Sequence, residues 1–290
     1  MQILKTYKLY IGGAFPRTES GRYYKATNSK GDWIANICLS SRKDFRNAVV
    51  AARKAFDAWH SRAAFNRSQI VYRMAEMLDG RKQQFLEELM LQGASKKEAE
   101  LEIQLTIDRI VYYCGWCDKY QQVFSSVNPV SSAHFNFSVT EAMGVVAIIA
   151  DEKTSLLGLV SMILPVVCGG NTCVVLASES KPLCAITFAE ILATSDLPGG
   201  VINILTGKSS ELHTHFASHM DVNAIVYGKA HKEEQKAIAA LASINVKRSF
   251  DWNRDWTKAQ NQSPYFILDT QEIKTTWHPI EQIGTSGVKY

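Results

Sequence analysis

No stretch of this 290-residue chain reaches eighteen apolar residues, because Cys168-Gly169-Gly170-Asn171 interrupts the longest candidate. A helix needs about twenty such residues to cross a bilayer, so no membrane association is expected. The opening residues, MQILKTYKLY, lack both an unbroken apolar core and a small-residue cleavage site. A secretory signal is therefore not expected, and a cytoplasmic location is. Basic residues never run five in a row, and the net charge of +4 is scattered, which argues against a nucleic-acid partner. Six cysteines are too few for a disulfide scaffold in a chain of this length. Internal repeats and low-complexity linkers are absent as well. What remains is a globular protein long enough to bury a large core.

The most informative stretch is 144–207. GVVAIIA, TCVVLA and VINIL are apolar throughout, without polar alternation, as strands covered on both faces should be. Leu156, Leu157, Val160, Ile163, Leu164 and Val167 keep a 3.6-residue period between the first two runs. Ala185, Phe188, Ala189 and Leu192 keep it between the second and third. Gly169-Gly170-Asn171 and Pro198-Gly199-Gly200 supply stop signals. Strand, helix, strand, helix, strand demands right-handed crossovers. The expected fold is thus α/β: a Rossmann-like open, mostly parallel sheet with helices on both faces. Its natural ligand site lies beyond the carboxyl ends of the strands.

Residues 1–127 read as hairpins and then helices. Aromatic and polar positions alternate around Gly12-Gly13, Ser20-Gly21 and Lys30-Gly31, as in antiparallel hairpins. Ser40-Ser41 caps a helix to about Trp59, with Asp44 completing a capping box and Phe45, Val49, Ala52, Phe56 and Trp59 on the apolar face. Further helices are expected over Arg67–Leu78, Gln83–Leu91 and a longer stretch after Ser95. Residues 128–143 include HFNFSVT, which alternates like an exposed strand and implies a protruding hairpin. Within the core, 144–268, more strands are expected at Val222–Tyr227, Asn245–Phe250 and Ser263–Leu268, with a helix at His231–Leu241. The tail, 269–290, reads as irregular.

Two motifs invite a chemical reading and do not sustain it. Cys114 and Cys117 form a CxxC inside a helical pattern. A reactive CxxC needs a helix N-terminus directly after a strand, so helix packing is the expected role. His213, His215 and His219 form an HxHxxxH, of which only His215 and His219 share a helix face, so no metal site is expected.

The framework residues of 144–219 carry a family resemblance. Gly144-Val145-Val146, Pro165, Gly170-Asn171-Thr172, Glu179, Pro182-Leu183, Pro198-Gly199, Asn203-Ile204, Thr206-Gly207 and Ala217-Ser218-His219 resemble the nucleotide-binding domain of the aldehyde dehydrogenase superfamily. Weaker matches upstream extend the likeness over most of the chain. The functional positions depart from the pattern. Where the family has Ile-Pro-Trp-Asn-Phe-Pro, with the Asn donating to an oxyanion, this chain has Ala150-Asp151-Glu152-Lys153-Thr154-Ser155. Where the family has Lys-Pro-Ala-Glu holding the adenosine ribose, it has Leu176-Ala177-Ser178-Glu179, leaving only Glu179 as a vestigial cofactor contact. Phe-Thr-Gly-Ser becomes Tyr227-Gly228-Lys229-Ala230. The general-base Glu falls near Trp252, beside Asp251. The nucleophilic Cys would lie further on, in a catalytic domain that this chain, ending twenty-two residues after Leu268, is not expected to contain.

The resemblance therefore implies a degenerate member, similar to the truncated second module of two-module aldehyde dehydrogenases, with no catalytic residues and no metal. No cofactor is expected to bind tightly, NAD if any. Its expected partner is a full-length aldehyde dehydrogenase subunit or a second copy of itself, the hairpin at 128–143 resembling the family's oligomerisation element. Two other readings remain: an NAD-dependent aldehyde oxidoreductase with non-standard residues, and a nucleotide-sensing module without turnover that uses Glu179 and Lys153. Lys153 itself is expected to pair with Asp151 or Glu152 and be solvated.

Overall fold

A computed structural model describes residues 4–280. The first strands form a small sheet in which β2 (Tyr23–Thr27) pairs antiparallel with β3 (Trp33–Cys38) around the Lys30-Gly31 turn, as expected. β1 (Thr6–Tyr7) departs from the hairpin expectation and runs parallel to β3. The cause is a long-range pairing: Tyr10 and Ile204 exchange backbone hydrogen bonds of 2.9 and 2.8 Å, which draws this stretch along the main sheet. Only an isolated Ile11–Ala14 bridge survives at Gly12-Gly13.

Helices α1 (Arg42–His60), α2 (Ala64–Gly80), α3 (Lys82–Leu91), α4 (Lys96–Cys114) and α5 (Tyr120–Phe124) follow. The capping box at α1 is complete: Ser41 Oγ accepts from the Asp44 amide, and the Ser41 amide donates to the Asp44 carboxylate. Phe45, Val49, Ala52 and Trp59 are buried, and the Trp59 indole donates to the Val167 carbonyl at 3.0 Å. Ser95 and Glu98 build the same box at α4.

β4 (Ser126–Asn128) and β5 (His134–Ala142) lead into the core. It comprises β6 (Val145–Ile149), α6 (Leu157–Cys168), β7 (Thr172–Leu176), α7 (Leu183–Leu192), β8 (Ile202–Leu205), α8 (Ser209–Ser218), β9 (Ala224–Tyr227), α9 (Lys232–Ser243) and β10 (Arg248–Asp251). Strand order is β10-β9-β6-β7-β8, with every pairing parallel. Every residue of β6, β7, β8 and β9 is buried. Along β6, Val146 and Ile148 join the cluster of α2, α4, α6 and α7, while Val145, Ala147 and Ile149 join Phe45, Val49, Phe216 and Ile238 on the other face. Two covered faces are why the strands read as unbroken apolar runs.

The last part of the chain differs from expectation twice. Ser263–Leu268 was the place for a strand, but α10 (Tyr265–Asp269) forms there, opened by Pro264, whose fixed φ suits a first helical turn. This turn seats Ile267 in the core cluster and packs the partly buried Phe266 against Trp252 and Trp256. The expected irregular tail is in part a nine-residue strand, β11 (Gln271–Pro279), antiparallel to β5 along its whole length. Its order β11-β5-β4 makes the HFNFSVT strand the centre of a three-stranded sheet rather than an exposed edge. Residues 281–290 of the tail lie outside the described residues.

The segment 252–256, which follows β10, is held from below. Arg109, 2% exposed on α4, donates to Ser161 Oγ (2.7 Å), the Trp256 carbonyl (2.9 Å) and Gln262 Oε1 (3.0 Å). Trp252 and Trp256 are each 1% exposed. The Trp256→Ala variant is expected to lose about 3–5 kcal/mol in urea unfolding, the cost of emptying a large buried site. A loss under about 1 kcal/mol would mean that this segment merely rests on the surface.

Candidate functional site

The chain runs outward from β6 to β8, then returns to β9 on the other side of β6, so β6 and β9 flank a topological switch point. In open α/β sheets, ligands bind in the crevice beyond the strand ends at that point. Here one side chain bridges it. Glu152, just past β6, accepts from Lys229 Nζ (2.8 Å) beyond β9. It also accepts from four donors beyond β7: Ser178 Oγ (2.6 Å), the Glu179 amide (3.1 Å), the Ser180 amide (3.1 Å) and Ser180 Oγ (2.7 Å). Burial opposes ionisation of this carboxyl, but the Lys229 ammonium and the two hydroxyls prevail and hold it at about 2. It is a carboxylate across the neutral range.

A second carboxylate fills the helix end. Glu102 of α4 accepts from the Ser155, Leu156 and Leu157 amides (3.1, 2.7 and 3.2 Å) at the start of α6. Helix N-termini attract anions through free amides and the helix dipole, and in dinucleotide folds that end receives the pyrophosphate. Glu102 and Glu152 thus engage the amides at the start of α6 and the donors of the loop beyond β7, positions where a dinucleotide phosphate would compete with them. Beside it opens a cavity of about 480 Å³ lined by Gln92, Glu98, Glu102, Lys153, Lys181 and Thr257.

Glu179, the cofactor contact expected from the sequence, stands at the mouth of β7. Its carbonyl accepts from the Tyr24 hydroxyl at 3.3 Å, and its carboxylate has no protein partner among the described residues. Lys153 does not pair with Asp151 or Glu152 as expected. Its Nζ donates to Asn253 Oδ1 (2.9 Å) and the Arg254 carbonyl (3.3 Å), tying the β6 loop to the segment after β10. Trp252, near the general-base position, is buried with its indole on Asp269 Oδ2, and Asp251 caps the Asn253 amide. Neither is aimed into the crevice as a base. Glu152 was the residue that sequence reasoning passed over. The signal was a pair of acidic residues, Asp151 and Glu152, following an all-apolar strand, where a charge needs a partner.

The cysteines and histidines take structural places. Cys114 Sγ donates to the Ser68 carbonyl, and burial with the neighbouring Cys117 pushes its thiol up to about 11. Cys117 is buried against the Tyr113 carbonyl. Cys168, Cys173 and Cys184 are fully buried, and desolvation raises all three thiols. His213 contacts the Ser209 carbonyl, whereas His219 accepts from the Asp221 amide and packs edge-on against Phe45. Among the described residues no three metal-ligating side chains converge.

Asp151, 1% exposed, lies between Glu152 and the strand. Its Oδ1 accepts from the Lys153 amide and from the amide and hydroxyl of Thr154, while Oδ2 is buried without a partner against Gly158. A side chain at residue 158 would collide with this carboxylate. Burial lifts the carboxyl from 3.8 to about 6 against those hydrogen bonds. The folded state therefore holds this proton more tightly than the unfolded chain. Stability falls as pH rises from about 4 to 6, and the full cost is present above that window. Asp151→Asn should gain on the wild type, in urea unfolding, by on the order of 2 kcal/mol between pH 4 and pH 8. A difference independent of pH would show that the carboxyl is ordinary.

Comparison with known proteins agrees with this architecture. The pattern of the aldehyde dehydrogenase family matches residues 16–249. DhaS of Bacillus subtilis (strain 168) is 31% identical over 248 residues, covering 84% of this chain and 49% of that protein. Cytosolic 10-formyltetrahydrofolate dehydrogenase of Mus musculus is 28% identical, covering 83% of this chain and 28% of its own length. PnpE from Pseudomonas sp. WBC-3, solved in complex with nicotinamide adenine dinucleotide, superimposes with a TM-score of 0.80 at 26% identity, over 84% of this chain and 50% of its own. The chain spans about half the length of the bacterial relatives it matches. It belongs to the aldehyde dehydrogenase family.

Proposed function

We propose that this chain is a non-catalytic aldehyde dehydrogenase-family module, its dinucleotide crevice closed by its own carboxylates, which acts by associating with a full-length aldehyde dehydrogenase subunit or with itself. The observation that carries the reading is Glu152, whose carboxylate holds five donors from two loops across the switch point. Aldehyde oxidation needs a thiolate, an oxyanion donor, a base for deacylation and a nicotinamide site. In this chain the oxyanion position is Lys153, turned toward Asn253, and the base position is a buried tryptophan. The fully buried thiols are raised away from the thiolate form. Where catalytic groups act as a unit, losing one costs on the order of 10⁶ in rate, so losing several leaves nothing for selection to maintain as an enzyme.

One observation favours a second reading, nucleotide sensing without turnover: among the described residues the Glu179 carboxylate has no protein partner, at the position that the family resemblance gives to a ribose contact. Titration calorimetry separates the two. With the closed crevice, NAD and NADP give no saturable heat up to about 1 mM, a binding free energy weaker than about −4 kcal/mol. Saturable binding below about 100 μM that Glu179→Gln weakens roughly tenfold would establish the sensor instead. NADH production from an aldehyde by the purified chain would refute both.

A further inference from the structure

The residues around Glu152 gather at positions where this chain departs from its family. Glu152 stands where the family pattern has tryptophan, Ser178 where it has alanine and Lys229 where it has glycine. Three changes in three separate loops meet at one point, which makes them a unit. Glu152 Oε1 accepts from Lys229 Nζ and the Glu179 amide, whereas Oε2 accepts from Ser178 Oγ, Ser180 Oγ and the Ser180 amide. A carboxylate has about two lone-pair sites on each oxygen, so three donors on Oε2 exceed its capacity. A phosphate group presents three acceptor oxygens to such a set. Successive backbone amides like those of Glu179 and Ser180 form concavities that bind anions. The Glu152 side chain is 33% exposed, so the donors line an open crevice and not a sealed core.

We infer that these five donors form an oxyanion site in which Glu152 is the tethered occupant, and that its free ligand is a phosphate group competing with that carboxylate. The loop carrying Glu152 has its own anchors. Lys153 Nζ is tied to Asn253 and Arg254, and Thr154 Oγ1 accepts from the Gly158 amide at 2.8 Å. The donors are fixed from behind as well: the Lys181 amide donates to Ser178 Oγ at 3.0 Å, and the Tyr24 hydroxyl donates to the Glu179 carbonyl. Withdrawing the carboxylate therefore leaves the donors in place without an acceptor, and a free anion restores one through charge-assisted hydrogen bonds. With the carboxylate present, only molecules in which it has swung away can bind, and the apparent affinity falls by that fraction.

This inference rests on the closed-crevice reading and adds that the closure is a competition. Titration calorimetry with inorganic phosphate tests it on the full chain. Glu152→Ala should bind phosphate saturably and at least about tenfold more tightly than the wild type. Adding Ser178→Ala and Ser180→Ala to Glu152→Ala should weaken that binding about tenfold or more, which separates the site from the general effect of phosphate on protein surfaces. Glycerol 3-phosphate distinguishes the sources of the group: tighter binding than inorganic phosphate assigns the site to a phosphate monoester, and otherwise to the free ion. Glu152→Gln keeps the size and loses the charge, so it should lie between the wild type and Glu152→Ala, and it carries the test if the alanine variant does not fold. Position-152 variants that bind phosphate no more tightly than the wild type overturn the inference. So does a triple variant that binds as well as Glu152→Ala. The two readings fail separately: either of those results leaves the crevice closed to NAD, whereas saturable NAD binding by the wild type refutes the closure whatever phosphate does.

Discussion

The charge of Glu152 is the constraint on which this molecule turns. Three parallel strands end together, and parallel strand ends leave backbone amides and loop hydroxyls facing the same crevice. Such donors need an acceptor, because a desolvated unpaired donor costs free energy comparable to a lost hydrogen bond. A family fold built for an anionic ligand supplies that acceptor from outside. This chain supplies it from its own backbone loop, at a position where its relatives' pattern has tryptophan, and sets Lys229 opposite to balance the charge. Glu102 repeats the solution at the start of α6. Two carboxylates thereby tie the loops beyond β6, β7 and β9 and the start of α6 into one network.

A second consequence concerns the apolar surface. The segment after β10 covers part of the core, with Trp252 and Trp256 against Phe266 of α10 and Arg109 pinning the loop from within. Buried arginine without a carboxylate is tolerated because carbonyl, hydroxyl and amide oxygens take its protons and the Trp256 ring lies near its guanidinium.

Much of the fold was legible in the sequence, and the reasons are physical. Apolar strands without alternation, two periodic helices and glycine stops allow only one architecture for 144–207, and the capping box at Ser41 and Asp44 stands as read. What failed were segments decided by distant partners. β1 turned parallel because Tyr10 found Ile204, and Ser263–Leu268 became helical because Trp252 and Trp256 offered a pocket rather than a sheet edge. The strand at Gln271–Pro279 replaced an expected irregular tail, because its pairing with β5 lies more than a hundred residues away in the chain and nothing local names that neighbour. At the site, the sequence showed which family positions had changed. It did not show that the replacements Glu152 and Lys229 meet, since they are 77 residues apart in the chain.

Glu102 reaches α6 from a helix that precedes it by more than forty residues, so the end of α6 is satisfied as soon as the chain has folded. A protein that leaves that duty to a small molecule draws stability from the supply of that molecule, by an amount that grows with the logarithm of its concentration. Here the counter-ion is covalently attached and always present. The acceptor at the start of α6 is thereby independent of the concentration of any small molecule.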